Sequence, residues 1–269
     1  MCTLAVYRRV SPLYPLIVVA NRDEFLGRAS SPPAPWRDTG EIGARIVAGR
    51  DLVAGGTWLG CRTDGSGRVV GILNRRPAVD RPAAGPGERS RGLLCLETLA
   101  APSLPGHLES LAAGEVRRYG GFNLFAADLE RAVVLDNGDG PRRVLLEDGL
   151  SVLTNLDVND PRCPRLAGAT RRFEALRPML AGGADVKAVV AELAAVLASH
   201  EDSDVVDGEV TARFGAEAAA GFARICVHVA DYGTRSSSMI FVSATGGVRY
   251  FHADGPPCTT AFGELRLEG

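Results

Sequence analysis

The sequence predicts an α+β fold, with a pair of mainly antiparallel sheets stacked between helical layers. Three observations lead there. Short apolar runs of strand length, separated by Gly-, Pro- and Asn-rich turns, fill most of the first 154 residues. Helical periodicity is confined to two places, one after Ser90 and a stronger one after Cys163. Strands and helices are therefore segregated along the chain instead of alternating strictly, which argues against a doubly wound parallel sheet.

The elements follow in order. Cys2–Tyr7 is an apolar run of strand length, and Pro12 and Pro15 break the chain before a second run, Leu16–Ala20. Large aliphatics dominate that run, as suits a strand covered on both faces. It ends abruptly in the polar stretch Asn21-Arg22-Asp23-Glu24. Ser30–Trp36 is proline-rich and reads as a loop, and strands are expected at Ile46–Ala48, Thr57–Cys61 and Arg68–Leu73. Arg75–Arg89 has no apolar period and reads as a long surface loop. Ser90 is placed to cap a helix over Arg91–Leu99, and Leu104–Ala113 forms a second helix. Phe122–Ala127, Ala132–Leu135, Arg143–Leu146 and Ser151–Thr154 read as a meander of antiparallel strands. Pro164–Leu180 and a helix beginning at Asp185 carry the clearest apolar faces. An acidic stretch, Glu201–Glu209, leads to strands at Arg224–Val229 and Ser238–Ser243, flanking a turn at Asp231–Arg235, and then to a last strand at Val248–His252.

Composition narrows the function classes. The 269 residues hold 30 Lys+Arg against 32 Asp+Glu, a formal net charge of −2, which argues against a broad electrostatic footprint for nucleic acid or anionic membrane. No apolar run approaches membrane-spanning length, and the first residues do not read as a secretory signal, so a reduced, cytoplasmic protein without membrane insertion is the expectation. Six cysteines stand at positions 2, 61, 95, 163, 226 and 258. None forms a C-x-x-C and none has a histidine at finger-like spacing, so no metal site is expected. The histidines at 107, 200, 228 and 252 are scattered, and His228 reads as a strand residue without a catalytic role. P-loop, dinucleotide, zincin and nucleophile-elbow patterns are absent.

Cys2 is the residue with chemistry in prospect. On its own it is readable as a small apolar residue on an N-terminal strand. A residue this small at position 2 normally allows removal of Met1, which leaves Cys2 with a free α-amine. Such an amine has an ordinary pKa of about 7.7–8.0 and serves as a base at neutral pH without a histidine. A nucleophile activated by its own terminal amine is an established solution for acyl transfer. If Leu16–Ala20 pairs with Cys2–Tyr7, the segment Asn21–Glu24 arrives at the sheet end where Cys2 begins. Asp23 would then orient the ammonium or thiol, and Arg22 would supply positive charge that favours thiolate.

The start MC-x-L-A-V with VVANRDE resembles the NRDE family, also called the Transport and Golgi organisation family. The resemblance continues through GGTWLG (Gly55–Gly60), ILNR (Ile72–Arg75), GGFNL (Gly120–Leu124), LTN (Leu153–Asn155) and YGTRS (Tyr232–Ser236). That family is in turn similar to the cysteine N-terminal-nucleophile hydrolases, among them penicillin V acylases and bile salt hydrolases. The resemblance implies a four-layer αββα sandwich, a single domain over residues 1–269, and amide-bond or acyl-transfer chemistry. It makes Cys2 the nucleophile and Asp23 the aspartate that contacts it. It also makes Asn74 and Asn155 the oxyanion and amine ligands, and Arg235 the late arginine. The chain departs from the hydrolases in one respect: the arginine they carry a few residues before the aspartate is replaced here by Val18, Val19 and Ala20. Arg22 is the candidate to supply its charge.

Two functions fit these residues. The first is a cysteine amidohydrolase or acyltransferase acting on a small amide or thioester, with no cofactor. The second is a non-catalytic protein on the same scaffold that binds or traffics haem or acyl lipid, with Cys2 as a thiolate ligand.

Overall fold

The structure is a computed structural model, and it describes residues 2–36, 45–76, 89–138 and 140–267. Most of the Arg75–Arg89 loop expected from composition lies outside the described residues.

The N-terminal run forms β1 (Thr3–Arg8), and its partner forms β2 (Leu16–Phe25). β2 is twice the expected length, because the polar segment Asn21–Asp23 continues the strand and is buried. Each of those polar side chains must then find a partner inside the protein. The proline-rich stretch is also a strand, β3 (Ser30–Pro35), not a loop. It lies at a sheet edge, and its register shifts between Ser31 and Ala34, so Pro32 and Pro33 occupy the irregular stretch where a missing N–H is tolerated. β4 (Ile46–Asp51), β5 (Leu59–Arg62) and β6 (Val69–Asn74) follow, then α1 (Arg91–Ala100) and α2 (Leu104–Ala112). Ser90 precedes α1 without a side-chain cap, whereas the Ser103 hydroxyl accepts from Gly106 N and caps α2.

The expected meander holds for β7 (Phe122–Ala127), β8 (Ala132–Asp136) and β9 (Arg142–Leu145). β10 (Gly149–Leu153) leaves it and pairs with β1 in the other sheet. The Pro164–Leu180 helix is two, α3 (Pro164–Ala175) and α4 (Arg177–Ala181), because Pro178 cannot donate into a continuous ladder. α5 (Val186–Leu197) is capped by Asp185, whose carboxylate accepts from Lys187 N. Where a strand was expected to begin at Arg224, two short helices come first, α6 (Gly208–Phe214) and α7 (Ala216–Ala223). The strand itself shrinks to β11 (His228–Val229). The turn is only Ala230-Asp231, so Tyr232–Arg235 already belong to β12 (Tyr232–Val242). β13 (Val248–Ala253) and β14 (Gly263–Glu264) complete the chain.

The chain forms two compact units, Met1–Arg28 with Asp148–Phe241 and Arg249–Arg266, and Ala29–Glu147 with Val242–Val248 and Leu267–Gly269. The first unit is built on a sheet of order β10-β1-β2-β12-β13-β14, with β11 also paired to β12. One face carries Ala5, Tyr7, Ile17, Val19, Val152, Met239 and Phe241, and packs on Leu166 and Phe173 of α3 and Val189 and Leu193 of α5. The second unit is built on an antiparallel sheet of order β3-β4-β5-β6-β7-β8-β9. Val70, Ile72, Leu124 and Val133 pack there on Leu94 and Leu99 of α1 and Leu108 of α2. Each sheet thus has a helical layer on one face, as the segregation of strands and helices in the sequence requires. Among the described residues no helix is long and apolar enough to cross a membrane.

Candidate active site

Strand register decides where Cys2 sits. β1 pairs with β2 at Thr3↔Asn21 and Leu4↔Ala20, so one further step sets Arg22 beside Cys2. β1 pairs with β10 as far as Leu4↔Leu153, and Asn155 lies two residues past the end of β10. Laterally adjacent residues share a sheet face. Ala5 and Val19 face the helices, and parity then places Cys2 and Arg22 together on the opposite face.

Cys2 is half-buried, and its thiol lies 3.7 Å from the Asp23 carbonyl oxygen, to which it donates. Burial pushes the thiol above its ordinary pKa. The positive amino terminus opposes that rise, the Asp23 carboxylate adds to it, and the Arg22 charge also opposes it. Arg22 and Asn155 are both buried, at 5% and 8% exposure. The balance of these effects disfavours thiolate, so a nearby base would assist reaction.

Asp23 does contact the nucleophile, but through its backbone. Its carboxylate lies on the helix-facing side of β2 and meets Arg165 Nη1 at 2.6 Å and the Thr234 hydroxyl at 2.7 Å. The same Arg165 nitrogen donates to the Thr3 hydroxyl at 3.0 Å, and Arg165 Nη2 donates to the Phe222 carbonyl at 2.7 Å. Tyr232 donates its hydroxyl to the Asp23 carbonyl oxygen at 3.0 Å. The residues on either side of the nucleophile's contact are thus held by β12 and α3. The expected direct interaction of the Asp23 side chain with the Cys2 thiol is replaced by this cradle, because the strand's alternation turns the carboxylate to the other face.

Asn21 is structural. Its amide nitrogen donates to Leu197 O at 3.0 Å and Ile225 O at 2.9 Å, while its oxygen accepts from Ser237 at 2.6 Å. All three capacities serve to tie β2 to the end of α5, the segment before β11, and β12.

The six sequence-derived candidates divide between the two units. Cys2, Arg22, Asp23, Asn155 and Arg235 belong to the first, and Asn74, exposed at the end of β6, belongs to the second. Arg235 is half-buried and follows Thr234 on β12. Its Nε is buried and has no hydrogen-bond partner among the described residues. Arg165 was not singled out from sequence. Its signal was nonetheless present: it shares a helical face with Ala169 and Phe173, which makes it a charge at the edge of an apolar stripe.

Residues 1–254 match the family described as Transport and Golgi organisation 2. The chain belongs to that family. Transport and Golgi organization protein 2 homologs of Bos taurus and Homo sapiens are each 32% identical over 253 residues, covering 88% of this chain and 85% of the relative. Solved structures are similar in fold. Two variants of the conjugated bile acid hydrolase from Clostridium perfringens give TM-scores of 0.52 and 0.54. They are 8% and 10% identical, cover 100% and 99% of this chain, and are themselves covered to 97%. The Caenorhabditis elegans ortholog of N-acylethanolamine-hydrolyzing acid amidase gives 0.50 at 13% identity, over 90% of this chain and 92% of that one. This member of the Transport and Golgi organisation 2 family therefore has an N-terminal-nucleophile-hydrolase-like fold.

Proposed function

We propose that the chain is a cysteine N-terminal-nucleophile amidohydrolase or acyltransferase acting on a small amide or thioester. The observation that carries this reading is the pairing that brings Cys2 beside Arg22, at a strand end held by the Asp23–Arg165 pair. The likeness in fold to an amidase and a bile acid hydrolase supports it.

The chemistry follows from the groups present. Removal of Met1 exposes an α-amine on Cys2 that takes the thiol proton, and Arg22 stabilises the thiolate so formed. Sulfur attacks the carbonyl carbon, and the electron pair moves to oxygen. Asn155 donates to that oxyanion, the role the family resemblance implies for it. Collapse expels the amine or thiol, which recovers the proton from the α-ammonium. Water or an acceptor amine then releases the acyl group. The orphaned Arg235 Nε is a donor for an oxygen of the substrate.

Turnover of a panel of N-acyl amides and acyl thioesters tests the reading. Cys2→Ala is expected to abolish turnover, and Asn155→Ala to reduce it about 10²–10³-fold, the usual effect of losing one oxyanion donor. Turnover unchanged in Cys2→Ala would refute the proposal.

A further inference from the structure

Four of the residues that the sequence leaves scattered come together in the first unit. His200 follows the C-terminal end of α5, and Cys226 precedes β11. His228 opens β11, and Cys258 sits in the turn Pro256–Thr260 beyond β13. One donor atom from each lies within 4.8 Å of all the others. Cys226 Sγ is 3.7 Å from Cys258 Sγ and 3.6 Å from His228 Nε2, and His228 Nε2 is 3.3 Å from Cys258 Sγ. The His200 and His228 rings are 5.2 Å apart at their centroids.

We infer that His200, Cys226, His228 and Cys258 form a tetrahedral Cys₂His₂ site for zinc. Zinc–sulfur bonds of about 2.3 Å and zinc–nitrogen bonds of about 2.0–2.1 Å define a tetrahedron with S···S edges near ~3.8 Å and S···N edges near ~3.6 Å. These three separations among Cys226, His228 and Cys258 fall within about 0.3 Å of those edges before any ion draws the ligands in. Donor chemistry agrees. Two thiols and two imidazoles form a borderline-soft set, and no carboxylate belongs to it, which disfavours magnesium and calcium. Four protein ligands fill a tetrahedron and leave no open position, as in structural and not catalytic zinc sites.

The site also has work to do in the fold. The segments that carry the ligands are weakly held by secondary structure. Ser199–Asp207 contains no helix or strand, β11 has two residues, and Cys258 lies in a turn. Among the described residues, the hydrogen bond from Cys226 N to Ser199 O at 2.9 Å joins two of them at the backbone. Zinc would cross-link all three. It would thereby fix the β11–β12 hairpin, whose Tyr232 and Thr234 hold Asp23. Spacing argued against metal because finger-type ligands come in two close pairs; here they come from three separate segments of the chain.

Metal analysis of protein produced in zinc-supplemented medium and purified with reductant but without chelator tests the inference. One zinc per chain is expected, as is a cobalt(II) derivative with thiolate-to-cobalt charge-transfer bands and the intense visible bands of tetrahedral coordination. Cys226→Ser and Cys258→Ser should lose both. Since those variants risk misfolding, His200→Ala at an exposed ligand outside helix and strand provides a second arm. It should stay folded by circular dichroism yet yield zinc to a chromophoric chelator at least tenfold more readily. Cys2→Ala should retain the full zinc content, which separates this site from the nucleophile. Substoichiometric zinc in the wild type, a cobalt spectrum that is octahedral, or one undiminished in folded Cys226→Ser would overturn the inference.

Discussion

Arg165 and Asp23 are exposed by only 3% and 0% at their side chains, so this ion pair has left water almost entirely. A charge buried that deeply is tolerable only while its partner and hydrogen bonds remain. Arg165→Met is therefore expected to cost about 3–5 kcal/mol, measured by urea unfolding, because it strands the Asp23 carboxylate. The double variant Arg165→Met/Asp23→Asn should recover much of that loss by removing the stranded charge. A cost of Arg165→Met below about 1 kcal/mol would mean the pair is not doing this. At this scale the site was half legible. Cys2 and Arg22 could be found from sequence because pairing the first two apolar runs makes them neighbours, whereas Asn155 came only with the family resemblance. The Asp23 carboxylate's partner could not, because Arg165 lies 142 residues away and reaches it through packing of a helix on a sheet.

Among the elements, the approach of α1 to the loop before β5 makes the most specific demand. A Cβ on Gly56 would fall on the backbone of Gly92 at the start of α1, and Thr57 N donates to Gly92 O at 3.0 Å across the same contact. Backbone cannot yield as a side chain tip can. Gly56→Ala is thus expected to destabilise by about 1–3 kcal/mol through overpacking. Gly168→Ala, with open space at its Cβ, should be neutral or stabilising within a helix. Equal thermal midpoints for the two variants would contradict this. Element types were mostly legible, since apolar period and turn residues mark strands and long helices well. The exceptions share a cause in tertiary context. β3 accepts prolines because it is an edge, β2 continues through NRDE because its polar groups find buried partners, and β10 changes sheets although its sequence resembles its neighbours. α6 and α7 span only 7 and 8 residues, too few turns for a clear period.

For the molecule as a whole, His252 links folding to pH. Burial lowers its pKa from 6.5 to about 4, with the nearby Asp254 charge opposing, and the Ser238 hydroxyl lies 3.0 Å from its Nδ1. The folded protein keeps this ring neutral, while the unfolded chain protonates it below about 6.5. Between pH 6.5 and 4 the unfolded state therefore binds more protons, so stability falls as pH falls, by up to about 3 kcal/mol from this residue alone. Below about pH 4 both states are protonated and the loss stops growing. Asp160 and Glu264, held low by their hydrogen bonds to Arg162 and Arg249, add acid sensitivity at lower pH. His252→Gln should flatten the stability curve between pH 6.5 and 4, and a slope equal to that of the wild type would exclude His252 as its source.

The central claim concerns the first residues of the chain, and intact-mass and peptide mass spectrometry after brief treatment with an alkylating probe tests it most directly. The expected product begins at Cys2, with Met1 removed, and carries the probe on Cys2 ahead of the other five cysteines. Retained Met1, or modification of the other cysteines while Cys2 stays unreacted, would contradict an N-terminal nucleophile.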